Sequence, residues 1–445
     1  MSMKVLMDQY LDYVGVGEAP LIYHKWTFFC CLSAAIGRKA SFSMGHFQIF
    51  PNIYVMLMGD PGTRKSTAIK IGKGALERSG FKHFSGSSSS QERFLQDLEA
   101  AGIATLEECS QQFICADEFN NFLGEGNNKF ISTLTELFDA GPSFDARLKQ
   151  AKSAVIPNPI VTMLGGNTHQ NFGTCFPPSI VNNGFLSRLI LVWGQRSGVR
   201  IPFPPQLDIE KRDALVTLFE QIQDTQLGPL SITPQAAKAI EDIYYAWEDL
   251  PDGRFLTYSQ RRQLHLQKLC VICAAAQGKL VIDYGDVLYS NTFLNEAERQ
   301  FSKALGEFGK SKTSEEASIV MNVLYAAKGK PVPLSRIWSS VCTNLGKFED
   351  LRTILHSLVA AERVDNLEGH FIARELPSAR LPHIDNSLME PPDEYQKLDI
   401  YLQRQRRAEA SLQRERDSLD AGIDAASLPD VVSEGGLEGD GQEFF

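Results

Sequence analysis

"MLMGDPGTRKSTAIKIGKG", residues 56 to 74, is the stretch on which the fold turns. Gly59, Lys65 and Ser66 stand at their positions in the phosphate-loop pattern G-x-x-x-x-G-K-[ST], with Arg64 in place of the second glycine. Such a loop curls consecutive backbone N–H groups around phosphate in front of a helix N-terminus. A lysine ammonium and a hydroxyl that holds Mg2+ complete it. The flanks supply the context: "FQIFPNIYVMLMG" reads as a strand-rich approach, and "TRKSTAIKIGKGALERSG" as a helix stopped by Gly80. Gly59 and Gly62 give the turn its freedom, and a negative φ at Arg64 would let that side chain point outward. The spacing assigns Gly59, Asp60, Pro61, Gly62, Thr63, Arg64, Lys65, Ser66 and Thr67 to nucleotide binding. Lys65 then meets the β- and γ-phosphates, and Ser66 the metal.

About 50 residues downstream, "QQFICADEF" is an apolar strand ending in Asp117 and Glu118. Behind a phosphate loop, two such acids divide the work: Asp117 holds Mg2+ and Glu118 polarises the attacking water. "PIVTMLGGNTHQNF" ends another buried strand on Asn167, a polar residue able to reach the γ-phosphate or the water; Thr168 and His169 are the alternatives. "GFLSRLILVWG" opens an apolar strand with Arg188. A guanidinium there is costly without an anion to meet it, and one reaching a neighbouring subunit's nucleotide would serve as an arginine finger.

Working outward, residues 3 to 40 read as helical, with an apolar stripe through "PLIYHKWTFFCCLSAAIGRK". A late serine of "SGSSSS" caps the helix that begins near Glu92. "KFISTLTELFDAG" is a helix closed by Gly141, and "PSFDARLKQAKSAVIPNPIVTMLGGN" gives two extended segments about a basic turn. Strands that are apolar throughout and alternate with helices describe a parallel sheet covered on both faces. After "RIPFPPQ" the pattern is helical only. The polar "GKSKTSEE" then introduces three helical stretches and a strand pair, the order of a winged helix-turn-helix. The boundaries are 1–45 for an N-terminal helical segment, 46–207 for the loop-bearing core, 208–309 for a helical lid and 310–376 for the winged helix. Residues 377–445 make a charged helix and an acidic tail that reads as disordered.

The chain carries 54 acidic and 44 basic residues, a net charge of −10. Eight of the acids lie between Asp417 and Phe445, where there is no Lys or Arg, so the preceding residues are nearly balanced at a net of −2. The acidic total therefore does not exclude a nucleic-acid partner. No apolar run approaches the roughly 18 residues that span a bilayer, and no leader pattern opens the sequence. Of eight cysteines only Cys270 and Cys273 have C-x-x-C spacing, inside the apolar run "LQKLCVICAAA". A buried pair in a reducing cytoplasm is the expectation, that of a bacterial host if the chain is phage-encoded.

"GDPGTRKST", "ICADEF", the Asn after "VTMLGG" and "FLSRL" together resemble the phosphate loop, acidic strand, polar sensor and trans-acting arginine of AAA+ replicative helicases. The minichromosome maintenance helicases, which also lack the second glycine, are similar, as are phage and prophage replication helicases. The resemblance is one of motifs over roughly residues 20 to 300, and it departs at "SRLIL", where an acid usually follows the arginine. It implies an α/β P-loop NTPase fold, AAA+-like, with a parallel sheet and helical lid. It implies a homo-hexamer with ATP and Mg2+ at its subunit interfaces, moving along single-stranded DNA. A basic hairpin tip at Arg147, Lys149 and Lys152 would track that DNA, and Arg261 or Arg262 would sense phosphate. The ending "SEGGLEGDGQEFF" resembles acidic, phenylalanine-terminated tails that dock on replication partners, a polymerase or a single-strand-binding protein. Two rival functions share these motifs: a DNA-dependent remodelling ATPase or helicase loader, and an ATP-regulated DNA-binding replication regulator.

Overall fold

The computed structural model describes residues 1–15, 17–103, 109–146, 154–176, 180, 184–203, 208–306, 308, 312–327, 329–342, 345–360, 364–367 and 369–374. Arg147, Lys149 and Lys152 of the expected basic tip, and all of the charged helix and acidic tail, lie outside the described residues.

Two helices open the chain: α1 (Met3–Val14), whose N-terminus is capped by the Ser2 hydroxyl, and α2 (Leu21–Ile36). α2 is apolar around most of its circumference and buried along most of its length, as a helix inside a core must be. The hairpin β1 (Ser41–Met44) and β2 (Phe47–Ile49) turns at Gly45, where φ is +58°. Next come β3 (Tyr54–Met58), α3 (Lys65–Arg78) and α4 (Gln91–Ile103). The Ser90 hydroxyl accepts from the Arg93 N–H, the serine cap expected there. β4 (Gln111–Ala116), α5 (Phe119–Leu123) and α6 (Asn128–Leu137) follow. α6 stops before Gly141, and the turn is made instead by Ala140 at φ +48°. β5 (Ser143–Ala146) and β6 (Ala154–Pro157) pair antiparallel, and β7 (Ile160–Asn167), α7 (His169–Cys175) and β8 (Leu189–Trp193) complete the region.

The central sheet runs β4-β7-β3-β8, all parallel. Its strands are buried almost throughout, each fully buried Val, Leu or Ile contributing about 1.5–3 kcal/mol. Side chains alternate between two covered faces. On one, Ser33 of α2 and Thr162 of β7 share a 2.8 Å hydrogen bond. On the other, the Tyr54 hydroxyl donates to Leu134 O of α6 at 2.9 Å. β7 lies between β3 and β4, and Met58 is level with both Asn167 and Trp193. The glycine loop, Asn167 and the acids after β4 therefore leave the same edge of the sheet.

α8 (Ile209–Asp224), β9 (Pro229–Ile232), α9 (Pro234–Ala246), α10 (Leu256–Ala276), β10 (Val281–Ile282), α11 (Tyr284–Glu298) and α12 (Phe301–Leu305) come next. The sequence reading of 208–309 as helices only is corrected by β9 and β10. With four and two residues, they are too short to print a period. They join the β1–β2 hairpin in a second sheet, β10-β9-β1-β2. The division drawn after residue 45 thus cuts a hairpin, and α2, α3, α10 and α11 share one apolar core. Residues 312–374 build a separate core from α13 (Lys312–Ala326), β11 (Val332–Pro333), α14 (Leu334–Val341), α15 (Phe348–Ala360), β12 (Val364–Leu367) and β13 (His370–Ala373). Its sheet has the order β11-β13-β12. No helix among the described residues is long and apolar enough to cross a membrane.

Gly72 lets α3 pack against α2, since a Cβ there would lie 2.3 Å from Thr27 Cγ2. Gly72→Ala gains about 1 kcal/mol of helix propensity but meets an overpacking cost of about 1–3 kcal/mol against the side chains of Thr27, Tyr10 and Cys31. Thermal unfolding of this variant should begin at lower temperature than wild type. A melting temperature equal to or above wild type would mean that the two helices separate without cost.

Candidate functional site

The loop between β3 and α3 is shaped by two left-handed residues. Gly62 has φ +81°, and Arg64 has φ +62° and ψ +27°. The expected negative φ at Arg64 is therefore corrected: the residue takes the conformation that glycine would adopt freely, at a cost of about 1–2 kcal/mol. Its side chain does point outward, where the guanidinium pairs with Glu18 at 2.5 Å. Glu18 also accepts the Ile201 N–H at 2.9 Å, and these two contacts hold its carboxyl below the usual range. Arg196 reaches the loop from the segment after β8, donating to Pro61 O at 3.0 Å.

Beneath the loop lies Tyr23 of α2. Its buried hydroxyl is 2.7 Å from Met58 O, 3.0 Å from Gly194 O and 3.5 Å from Thr63 Oγ1. Burial pushes it up to about 12. The contact explains two glycines: a Cβ at Gly59 would meet the hydroxyl at 2.3 Å, and one at Gly194 the ring at 2.5 Å. Lys65 bends back over the loop, donating to Gly59 O at 2.7 Å, Asp60 O at 3.1 Å and Thr63 Oγ1 at 3.1 Å. Burial lowers it to about 8, against the pull of the Asp60 carboxylate.

A cavity of about 410 Å³ opens above this loop. Pro61 through Thr67 form one wall, Asp117 and Glu118 a second, and the stretch from Gly166 through Asn171, His169 excepted, the rest. Lys65, Ser66, Asp117, Glu118 and Asn167 thus meet around one space, although they come from three separate stretches of sequence. α3 starts at Lys65 with no side-chain cap, so its first N–H groups are presented toward that space. Asp117 pairs with Lys70 of α3 at 2.9 Å, and Glu118 accepts from Asn121 Nδ2 at 3.3 Å. Gly166 lets β7 pass the acidic strand end, since a Cβ there would lie 2.4 Å from Asp117 O. Asn167 is buried, donating to Asn120 Oδ1 at 3.1 Å and accepting the Thr168 N–H at 2.9 Å. His169 turns away: it stacks on Trp193 at 4.8 Å, with Nε2 2.7 Å from Lys303 O.

Arg188 lies elsewhere. It precedes β8, whereas the loop follows β3, and the parallel register separates them by roughly five residues, about 17 Å. Its guanidinium pairs with Asp139 at 2.8 Å and donates to Gly184 O at 3.0 Å. Arg261 approaches the same Asp139 at 3.4 Å. Arg262, the other candidate for phosphate sensing, is spent internally. It bonds Glu298 at 2.9 Å and Asn291 at 2.8 Å, and it stacks on Trp247 at 4.0 Å.

Sequence reasoning passed over Tyr23, Lys70 and Asn120. Tyr23 sits in an apolar helical stripe, where nothing distinguishes it from core. Asn120 stood two residues beyond Glu118 in "DEFNNF", close enough to have been weighed. No protein-family model matches this sequence, and no curated protein matches it.

Arg64→Gly should raise stability by up to about 1 kcal/mol. The left-handed strain of about 1–2 kcal/mol is removed, offset in part by the roughly 0.5–1 kcal/mol that added chain entropy costs, while the exposed ion pair contributes little. Urea unfolding measures it, and a clear loss of stability would mean that the Glu18 pair outweighs the backbone strain.

Proposed function

We propose that this chain hydrolyses ATP as a P-loop NTPase of AAA+ type and works as a hexameric replicative DNA helicase moving on single-stranded DNA. One observation carries the reading: Lys65, Ser66, Asp117, Glu118 and Asn167 line a single cavity at the C-terminal edge of a parallel sheet. Open parallel sheets bind ligands at that edge, and the α3 N-terminus there favours anions.

The residues fit the groups this chemistry uses. Left-handed backbone at Gly62 and Arg64 supports an N–H-lined cradle, and Lys65 needs only to exchange carbonyl partners for phosphate oxygens. Mg2+ takes one or two protein oxygens and completes its shell with phosphate and water. Ser66 and Asp117 offer that donor set, and among the described residues no group of three or more His, Cys, Asp or Glu side chains suggests a different metal. Bound there, Mg2+ would neutralise phosphate charge as the terminal phosphoryl group leaves. Asp117 would exchange Lys70 for that ion. Glu118 is exposed, its carboxylate accepting among the described residues from Asn121 alone, which leaves it able to orient a water and accept its proton. Asn167 offers a fixed donor to the γ-phosphate.

The position of Arg188 supports the ring. At about 17 Å it is out of reach of its own loop, so a role on nucleotide belongs to the loop of a neighbouring subunit. The unit at 312–374 has the helix and strand order of a winged helix, yet α15 begins with Glu349 and Asp350. Those carboxylates would face phosphates if this helix entered a groove, which disfavours the regulator reading.

Glu118→Gln should retain ATP binding while steady-state turnover falls by roughly 10²- to 10⁴-fold, the usual contribution of a positioned base. Near-normal turnover would remove Glu118 from the mechanism.

Arg188→Ala and Lys65→Ala should each be inactive, and mixing them should restore part of the ATPase, because some interfaces then pair an intact Lys65 with an intact Arg188. A mixture as inactive as its parents would place Arg188 in a structural role through Asp139. Unwinding of a forked duplex by the wild type separates a helicase from a loader or remodeller.

A further inference from the structure

Two backbone groups dictate the orientation of a pair of side-chain amides at the cavity. Asn120, on the first turn of α5, has its Nδ2 2.9 Å from Asn171 O. A carbonyl only accepts, so that nitrogen is the donor and the Asn120 Oδ1 must face the other way. It faces Asn167, 3.1 Å from Nδ2. At the far end, the Thr168 N–H only donates, and it reaches Asn167 Oδ1 at 2.9 Å. Each amide is therefore fixed from a backbone partner outward, and the two assignments agree where they meet. Asn167 has two Nδ2 protons. Asn120 takes one; among the described residues no partner takes the other, and Asn167 lines the cavity.

We infer that Asn120 is a positioning residue, acting through Asn167 to present one N–H, and never the carbonyl oxygen, to the phosphate in the cavity. Asn120 itself is not part of the cavity wall. The inference rests on the ATPase reading above. It deepens that reading because Asn120 follows Glu118 by two residues: the segment bearing the base also sets the donor opposite it. A flipped Asn167 would turn an oxygen toward phosphate charge, which repels. Asn120 and the Thr168 N–H together oppose the flip, one from each end of the amide.

The test is a double-mutant cycle on the full chain, reading ATP turnover together with the affinities for fluorescent ADP and for ADP with aluminium fluoride. Asn120→Leu keeps the size of the side chain and removes both hydrogen bonds. It should lower kcat by roughly 10- to 100-fold, as loss of a partner that orients a reacting group does. ADP affinity should be unchanged, and affinity for the fluoride complex should fall in step with kcat. In an Asn167→Ala background the same substitution should cost nothing further. Asn120→Asp retains an acceptor for Asn167 and should be the more active of the two variants. Equal losses in both backgrounds, a kcat unchanged by Asn120→Leu, or an Asp variant as impaired as Leu would each overturn the role of Asn120. Wild-type protein that does not turn over ATP would instead defeat the ATPase reading.

Discussion

The hydroxyl of Tyr23 is the point from which the rest of the site takes its position. It lies between the ends of β3 and β8 and within reach of the loop, so one buried group sets the separation of two strands and the height of the turn above them. Two glycines are forced by its presence, and the loop that begins at Gly59 must bend where Tyr23 stops it. α2 holds Tyr23 there because it is itself clasped between α3, the sheet and the α10–α11 pair, in one continuous core. The loop geometry is thus a property of a helix more than thirty residues upstream.

A second set of constraints comes from α10, whose Arg262, His265 and Lys268 follow one another at three-residue spacing. They secure three other parts of the chain. Arg262 bonds Glu298 of α11, and His265 donates from Nε2 to Ser187 O at 2.9 Å, just before β8. Lys268 donates to Asn52 Oδ1 at 2.6 Å and Phe50 O at 3.2 Å, ahead of β3. Burial lowers Lys268 to about 7 and His265 to about 3. Removing one partner of a buried ion pair such as Arg262–Glu298 typically costs about 3–5 kcal/mol. Arg188 and Arg261 are next to this face and share the exposed Asp139, so the same helix that fastens the end of β8 also fixes where those two cations point.

Much of this was legible in the sequence because strand, turn and helix signals agree around residues 54–78 and 111–118. Apolar runs ending in glycine or in acids leave few alternatives for a parallel sheet. Three things were hidden, each for a physical reason. β9 and β10 are strands of four and two residues, below the length at which a period appears. The sign of φ at Arg64 depends on how the loop closes against Tyr23 and α3, which no local preference encodes. Arg261 and Arg262 are adjacent and chemically identical in sequence. A rotation of about 100° along α10 sends one to the surface and the other into the core.

The second sheet has a consequence for how the chain comes into being. β1 ends at Met44, yet its parallel neighbour β9 begins at Pro229, and β10, which completes the far edge, at Val281. At roughly 5–20 residues per second, synthesis delivers β9 about 9 to 37 seconds after β1. For that interval the β1–β2 hairpin is an unpaired ribbon with a bare strand edge and Phe47 at its tip. Final closure of the fold is therefore tied to the translation clock, and the nascent chain passes through a window in which that edge is the place a chaperone would be needed.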